Sequence, residues 1–154
     1  MDETEVTERF GLPPRASDLP VVREALAEMA RLDAENTLPM KALCVVLFAA
    51  GNLEDSLLVW RAKKASFDAG CSIDVQLLCG AGFDATLRYL RGINSDEARA
   101  ALGYIPECDA TGDFSGHDDP GGRLSGVLRE YRRYYTPRFP MIEFPLYRRD
   151  GLTR

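Results

Sequence analysis

The run Ala42-Leu43-Cys44-Val45-Val46-Leu47-Phe48-Ala49-Ala50 decides the fold, because it is apolar on every side and needs burial all round. Such a run is either a central helix or a fully buried strand. The preceding Thr37-Leu38-Pro39 is a helix-start signal, and the length of the segment favours a helix. The β-branched character of residues 43–48 favours a strand. We therefore predict a mainly α domain, with a small α/β fold that has strands at 43–48 and 73–79 as the alternative.

Helical periodicity continues on both sides of this run. Asn52 caps a helix on which the spacing of Trp60 with Leu53 and Leu57 predicts a core position for the tryptophan. With the central segment, these patterns predict a compact bundle of about six to seven helices packed as hairpins. The other helices are expected from Ser17 or Asp18 to Asp33, at 73–79, from Asp84 onward, at 95–102 and at 123–135.

A chain of 154 residues fits one domain, 1–154, and is long enough to bury a core. Residues 1–16 are polar and interrupted by a glycine and two prolines, which predicts a loosely ordered leader. The composition of residues 106–122 predicts an acidic loop. Residues 136–154 are expected to form an extended basic and aromatic arm, because their prolines disfavour a helix. The apolar residues of this arm need cover, so we expect the arm to pack on the body.

Charge is sorted along the chain. Residues 1–122 carry 11 Lys and Arg against 21 Asp and Glu, whereas residues 123–154 carry 8 Arg against 3 acids. The first part can attract cationic partners and the second anionic ones. In the second part, arginines such as Arg129, Arg132 and Arg133 alternate with rings, a composition that also binds nucleic acid. We favour docking of these arginines on the acidic body and do not expect a nucleic-acid partner; an adaptor that binds nucleic acid is the third functional hypothesis.

The glycine cluster Gly80-Ala81-Gly82-Phe83-Asp84-Ala85 matches the dinucleotide fingerprint G-x-G-x-x-A. In a nucleotide-binding unit the glycines let the pyrophosphate approach the helix N-terminus. Asp84 would place a negative charge at that point and repel phosphate. We therefore predict a tight turn between helices, and keep a ligand- or nucleotide-binding protein or enzyme that uses Gly80 to Asp84 as the alternative.

The acidic loop offers oxygen ligands at alternating positions, at Asp109, Thr111, Asp113 and Ser115. An EF-hand is excluded, because Phe114 and Pro120 stand where the calcium loop requires Gly and a bidentate Glu. A looser cation site that includes His117 is the remaining alternative, and a solvated loop is the favoured interpretation.

The residue types that usually carry catalysis are sparse. His117 is the single histidine, and the chain lacks a G-x-S-x-G elbow, a Walker loop and an H-E-x-x-H helix. We therefore lean against an enzyme and expect neither cofactor nor metal. The cysteines include no C-x-x-C pair and are expected to be reduced. Without a signal peptide or an apolar run of membrane-spanning length, we expect a cytoplasmic protein without a membrane partner.

Part of the chain repeats with a period near 31 residues. Ala50-Gly51 recurs as Ala81-Gly82, and the set Leu57, Trp60 and Arg61 recurs 30 residues later as Leu87, Leu90 and Arg91. Helix pairs with glycine-containing turns at this period resemble the helical hairpins of ankyrin and HEAT repeats over residues 39–92. The resemblance implies stacked helical hairpins, but the Thr-Pro-Leu-His signature of ankyrin repeats is missing.

By type, a small acidic helical domain resembles bacterial immunity proteins, which neutralise a toxin by covering its active surface. The resemblance implies a non-enzymatic, antitoxin-type protein-binding module whose partner is a protein, for example a cationic toxin domain. An acidic face associates quickly with such a partner. A homodimer is left open. The partner contacts are expected at six acidic residues: Glu54, Asp55, Asp109, Asp113, Asp118 and Asp119.

Overall fold

The computed structural model describes residues 1–32, 35–115 and 124–136, and all regular structure in these ranges is helical. The described α-helices number eight, with short 3-10 turns at Ala16–Asp18, Leu53–Asp55 and Val75–Cys79. The helices are α1 (Glu3–Phe10), α2 (Leu19–Leu32), α3 (Leu38–Ala50), α4 (Ser56–Lys63), α5 (Phe67–Ser72), α6 (Phe83–Arg91), α7 (Asp96–Ala110) and α8 (Ser125–Tyr135).

Helix α3 is the centre of the molecule, as its all-apolar sequence predicts. Every residue from 42 to 48 is buried, and helices α1, α2, α5 and α8 pack around α3 together with the Val75–Cys79 turn. Burying each large aliphatic side chain contributes about 1.5–3 kcal/mol relative to exposure. The prediction of a mainly α fold is confirmed. The α/β alternative is wrong, because residues 43–48 are helical and 73–79 form a helix end followed by a 3-10 turn.

The expectation of a loosely ordered leader at 1–16 is wrong over α1. The Asp2 carboxylate accepts a hydrogen bond of 2.9 Å from the Glu5 backbone N–H and so caps the helix. Val6 and Phe10, four residues apart, share one face and are buried, and α1 packs on α3. Two apolar residues in a polar segment are a weak periodic signal, so the sequence pattern missed this helix.

The acidic loop predicted at 106–122 begins later than expected. Helix α7 continues to Ala110 and contains Pro106, which lies on its exposed side. Proline in a helix interior removes one hydrogen bond, but Ile105 and Cys108 remain buried on the same face as Ala98 and Ala101. This packing holds the helix through the proline. Residues 111–115 form turns, and 116–122 lie outside the described residues.

The glycine cluster forms the predicted turn between helices. A Cβ added at Gly80 would lie 2.7 Å from the carbonyl oxygen of Phe48, so the absence of a side chain lets the turn touch the backbone of α3. Gly82 precedes α6 with a φ of 111°, a conformation that favours glycine. Cys79 ends a 3-10 turn, where a dinucleotide-binding unit would have a strand. Packing therefore accounts for Gly80.

Candidate functional site

The structure describes four of the six acidic residues expected to contact a partner. Asp109 at the end of α7 and Asp113 in the following turn are exposed, and so is Glu54. Asp118 and Asp119 lie outside the described residues, as does His117 of the alternative cation site. Asp55 is buried, and its assignment as a partner contact is wrong.

Asp55 belongs to an internal ion pair. Arg23 of α2 donates two hydrogen bonds to its carboxylate, from Nε to Oδ1 at 2.7 Å and from Nη2 to Oδ2 at 3.1 Å. The carboxylate is 5% exposed and the Arg23 side chain 31%. The hydrogen bond with Asp55 is the main reason that the pKa of Arg23 is raised. This bidentate pair ties α2 to the start of α4.

A groove of about 460 Å³ lies where the end of α4, helix α5 and α7 meet. Phe67, the first residue of α5, stands at its edge with 84% of its surface exposed. We call this surface the Phe67 groove; its lining residues are Trp60, Lys63, Lys64, Ser66, Phe67, Gly70, Cys71 and Tyr104. Sequence spacing gives no signal for this groove, because its walls come from α4, α5 and α7, which meet only after folding.

Aromatic side chains form one wall of the Phe67 groove. The rings of Trp60 and Tyr104 meet at an interplanar angle of 54°, with their centroids 5.4 Å apart. The Lys64 ammonium lies 5.5 Å from the centroid of the Trp60 ring, within the range of a cation–π contact. Trp60 itself is 7% exposed, which confirms its predicted core position.

Lys63 forms hydrogen bonds with the C-terminal end of α5. Its Nζ donates hydrogen bonds of 2.6 Å to the carbonyl of Gly70 and 2.5 Å to that of Ile73, at the C-terminal end of α5. A cation is favourable at this end of a helix dipole. The side chain is buried, and burial lowers the pKa of Lys63. At the other end of α5 the Ser66 hydroxyl accepts a hydrogen bond from the Ala69 N–H at 3.0 Å. Phe67 is thus held on a short helix that is fixed at both ends.

A polar cleft of about 190 Å³ continues from the Phe67 groove, with which it shares Lys63, Cys71 and Tyr104. The cleft is also lined by Asp74, Gln76 and Asp113. The Gln76 side-chain amide donates a hydrogen bond of 2.5 Å to the backbone carbonyl of Asp113. One of the predicted acidic contacts, Asp113, is therefore placed next to the Phe67 groove.

A third groove, of about 410 Å³, shares Asp74 and Gln76 with the polar cleft. We call it the tyrosine groove; its lining residues are Glu3, Leu38, Lys41, Asp74, Gln76, Val127, Glu130, Tyr131, Tyr134 and Tyr135. The Tyr131 hydroxyl donates a hydrogen bond to the Asp74 carboxylate. Burial, followed by this hydrogen bond, raises the pKa of Tyr131. Sequence spacing gave no signal for this pair, because its members are 57 residues apart.

Helix α8 docks on the body by a different chemistry from the one expected. Leu124 and Val127 are buried against the core, and Tyr131 reaches Asp74. The Nε of Arg132 donates to the carbonyl of Leu12 at 2.9 Å. Within the described ranges Arg129, Arg132 and Arg133 form no ion pair with a carboxylate, so docking through their charges is not observed there. The arm beyond Thr136 lies outside the described residues.

Two further features bear on the chemistry of the described ranges. In those ranges no group of histidine, cysteine and acidic side chains is arranged to hold a metal ion, and no helix is long and apolar enough to cross a membrane. All four cysteines lie within the described residues; Cys44, Cys79 and Cys108 are buried and Cys71 is exposed.

The Phe67 groove and the tyrosine groove each share lining residues with the polar cleft. Comparison with known proteins finds no matching family model, no matching curated protein and no matching solved structure. The features of the molecule that bear on its function are therefore these grooves and its negative net charge.

Proposed function

We propose that this protein is a non-enzymatic protein-binding module and that Phe67 is its central contact. The observation that carries the proposal is the exposure of Phe67, 84% of whose surface faces solvent at the edge of a groove walled by Trp60 and Tyr104. Aromatic residues are enriched in the centres of protein interfaces.

The energetics support a buried role for Phe67 in a complex. Covering an exposed phenylalanine side chain yields about 1.5–3 kcal/mol from removal of apolar surface from water. Lys63 and Ser66 fix the helix that carries the ring. Because the backbone that carries the ring is already held in place, little backbone conformational entropy is lost when a partner binds.

Charge supports a cationic partner, as in an immunity or antitoxin-type protein that blocks a cationic effector. The chain has a formal net charge of −5; Asp109 and Asp113 are exposed, and Asp113 lines the polar cleft. An acidic surface accelerates association with a cationic protein. Among the described residues we therefore propose Asp113, which lines the polar cleft, and the exposed Asp109 at the end of α7 as acidic contacts. Glu54 contacts Arg23 at 3.8 Å and does not line the grooves.

Affinity capture from the native host tests this function. Tagged wild type is compared with Phe67→Ala and with Val21→Ala, which truncates another exposed apolar residue, 45% exposed on α2. We expect a stoichiometric basic protein with wild type and Val21→Ala, and its loss with Phe67→Ala. Its association should slow with added salt and in the double variant Asp109→Asn, Asp113→Asn, because screening weakens steering. Failure to recover any stoichiometric protein would contradict the proposal.

A further inference from the structure

The tyrosine groove and the Phe67 groove both adjoin the polar cleft, with which each shares lining residues. The tyrosine groove shares Asp74 and Gln76 with the cleft, and the Phe67 groove shares Lys63, Cys71 and Tyr104 with it. Exposed apolar surface marks both grooves, with Phe67 at one and Leu38 and Tyr134, 44% and 63% exposed, at the other. A partner segment that covers Phe67 can therefore continue into the tyrosine groove.

The charges that line the tyrosine groove are predominantly negative. Glu3, Asp74 and Glu130 contribute carboxylates, and Lys41 contributes the single ammonium among the lining residues described. Lys41 pairs with Asp74 at 3.4 Å. The Glu3 carboxylate faces the Tyr135 hydroxyl and contributes to the raised pKa of that tyrosine. Glu130 is exposed and has no ion-pair partner within the described ranges, so the groove keeps a surplus of negative charge.

One cation of the chain, the Lys41 ammonium, already binds in the tyrosine groove. Its ammonium lies between the Asp74 carboxylate and the Tyr131 ring, whose centroid is 5.7 Å from Nζ. Carboxylate on one side and aromatic face on the other is a favourable environment for a positive charge. Glu130 and Tyr134 offer the same two groups one helical turn apart on α8, with no cation of the described chain between them.

We propose that the tyrosine groove binds an arginine side chain of the protein partner. A guanidinium is planar, stacks on tyrosine rings and forms two parallel hydrogen bonds with one carboxylate, whereas an ammonium is a compact, strongly hydrated charge. Glu130 supplies the carboxylate and Tyr134 the ring. This inference rests on the proposed function for the source of the arginine, but the recognition chemistry belongs to the groove itself.

The site is tested without the partner, by titrating the isotope-labelled full chain with N-acetyl-arginine methylamide and following backbone and tyrosine ring signals by NMR. We expect saturable binding in the millimolar range, with shifts concentrated on α8 and the start of α3. Glu130→Gln and Tyr134→Ala should each weaken binding about fivefold, the equivalent of about 1 kcal/mol. Glu107→Gln, which removes an exposed carboxylate of α7 outside the groove, should leave binding unchanged.

Matched ligands make the result decisive. N-acetyl-glutamate methylamide has the opposite charge and should cause no saturable shifts, and the lysine analogue should bind more weakly than arginine. Absence of saturation with arginine, equal response to the glutamate analogue, or shifts confined to other helices would overturn the inference. If arginine fails to bind but a partner is captured through Phe67, the protein-binding function stands and the arginine site falls. Thermal unfolding of each variant verifies that the fold is intact.

Discussion

Single residues hold the grooves in shape through a few hydrogen bonds to charged or ionisable groups. Lys63 reaches two backbone carbonyls at the end of α5, Asp55 receives two hydrogen bonds from Arg23, and Tyr131 donates to Asp74. Hydrogen bonds to ionised groups contribute about 1.5–3 kcal/mol each when both partners are shielded from water. These side chains act on function through the positions of α4, α5 and α8.

Removal of the Asp55 carboxylate should destabilise the protein. In Asp55→Ala, Arg23 loses both of its hydrogen bonds to the carboxylate. Because Arg23 is partly exposed and water can replace part of the loss, we expect a decrease of about 1–3 kcal/mol in the free energy of unfolding. Urea denaturation measures it. The neighbouring Glu54→Ala is the control: its side chain is 66% exposed, and a change below about 0.5 kcal/mol is expected. Equal effects of the two variants would contradict the assignment of Asp55 as internal.

Tyrosine ionisation should make the fold less stable in alkali. Burial raises the pKa of Tyr104 to about 12 and also raises the pKa values of Tyr131 and Tyr135. In the unfolded chain these groups titrate near pH 10, so above about pH 10 the folded state binds more protons and stability falls, by about 1.4 kcal/mol per pH unit for each tyrosine. The lowered pKa of Lys63 has the opposite effect, because stability rises with pH while the unfolded lysine holds a proton that the folded lysine has lost. This rise stops near pH 10.5, where the unfolded lysine also loses its proton.

Tyr131→Phe isolates one of these contributions. At pH 8 the variant loses the hydrogen bond to Asp74 and should be about 1 kcal/mol less stable than wild type. Above about pH 10 wild type loses stability through Tyr131 and the variant does not, so the gap should narrow as pH rises. Denaturation with urea between pH 8 and 11 measures the gap. A gap that stays constant with pH would show that the Tyr131 hydroxyl does not hold its proton in the folded state.

At the scale of elements, close contact between α3 and its neighbours sets the positions of the groove walls. The carbonyl of Phe48 leaves no space for a side chain at Gly80. This close approach allows the Val75–Cys79 turn to pack on α3 and α4. It also places Asp74, which precedes the turn, where it lines both the tyrosine groove and the polar cleft. The absence of a side chain at Gly80 therefore sets how closely the residues that line the grooves approach the core.

Two glycine substitutions test this contact. Gly80→Ala places a Cβ against backbone atoms that cannot rotate away, and we expect it to lower the free energy of unfolding by about 1–3 kcal/mol or more. Gly103→Ala is the matched change in the interior of α7, where no atom lies within 4 Å of the new Cβ. It should stabilise the protein by about 0.5–1 kcal/mol, because alanine favours a helix. Thermal and urea denaturation measure both, and a stable Gly80→Ala would contradict the close approach.

Sequence periodicity predicted the elements whose patterns are strong and local. The all-apolar α3, the position of Trp60 and the final helix near 123–135 follow from spacing and from helix-start signals. Helix α1 was missed because two apolar residues do not stand out in a polar segment, and α7 was cut short because Pro106 is normally a stop signal. In both cases tertiary packing outweighed the local signal.

The grooves were less predictable than the helices, because they depend on pairs of residues distant in sequence. Asp74 with Tyr131 and Trp60 with Tyr104 meet only after folding. The sequence shows how many charges the chain carries, but it does not show where each charge lies in the fold. Asp55 was expected at the surface and is buried with Arg23. Asp109 and Asp113 are exposed, as a partner contact must be, and remain predicted contacts.

The whole molecule combines a helical body and a net charge of −5 with two aromatic grooves that share lining residues with one polar cleft. Among the large apolar side chains of the described residues, Phe67 is the most exposed, at 84%. Negative charge favours approach of a cationic protein, whereas the aromatic groove supplies the contact that slows dissociation. Together these two properties support the proposed role in recognising another protein.

The dissociation constant of the captured partner, measured by titration calorimetry for wild type, Phe67→Ala and Val21→Ala, tests this central claim most directly. A central aromatic contact contributes at least about 2 kcal/mol, so Phe67→Ala should weaken binding about 30-fold or more. Val21→Ala should bind within about twofold of wild type, because truncation of a residue outside the interface has no effect on affinity. Equal affinities of wild type and Phe67→Ala would contradict the claim that Phe67 is the centre of a protein interface.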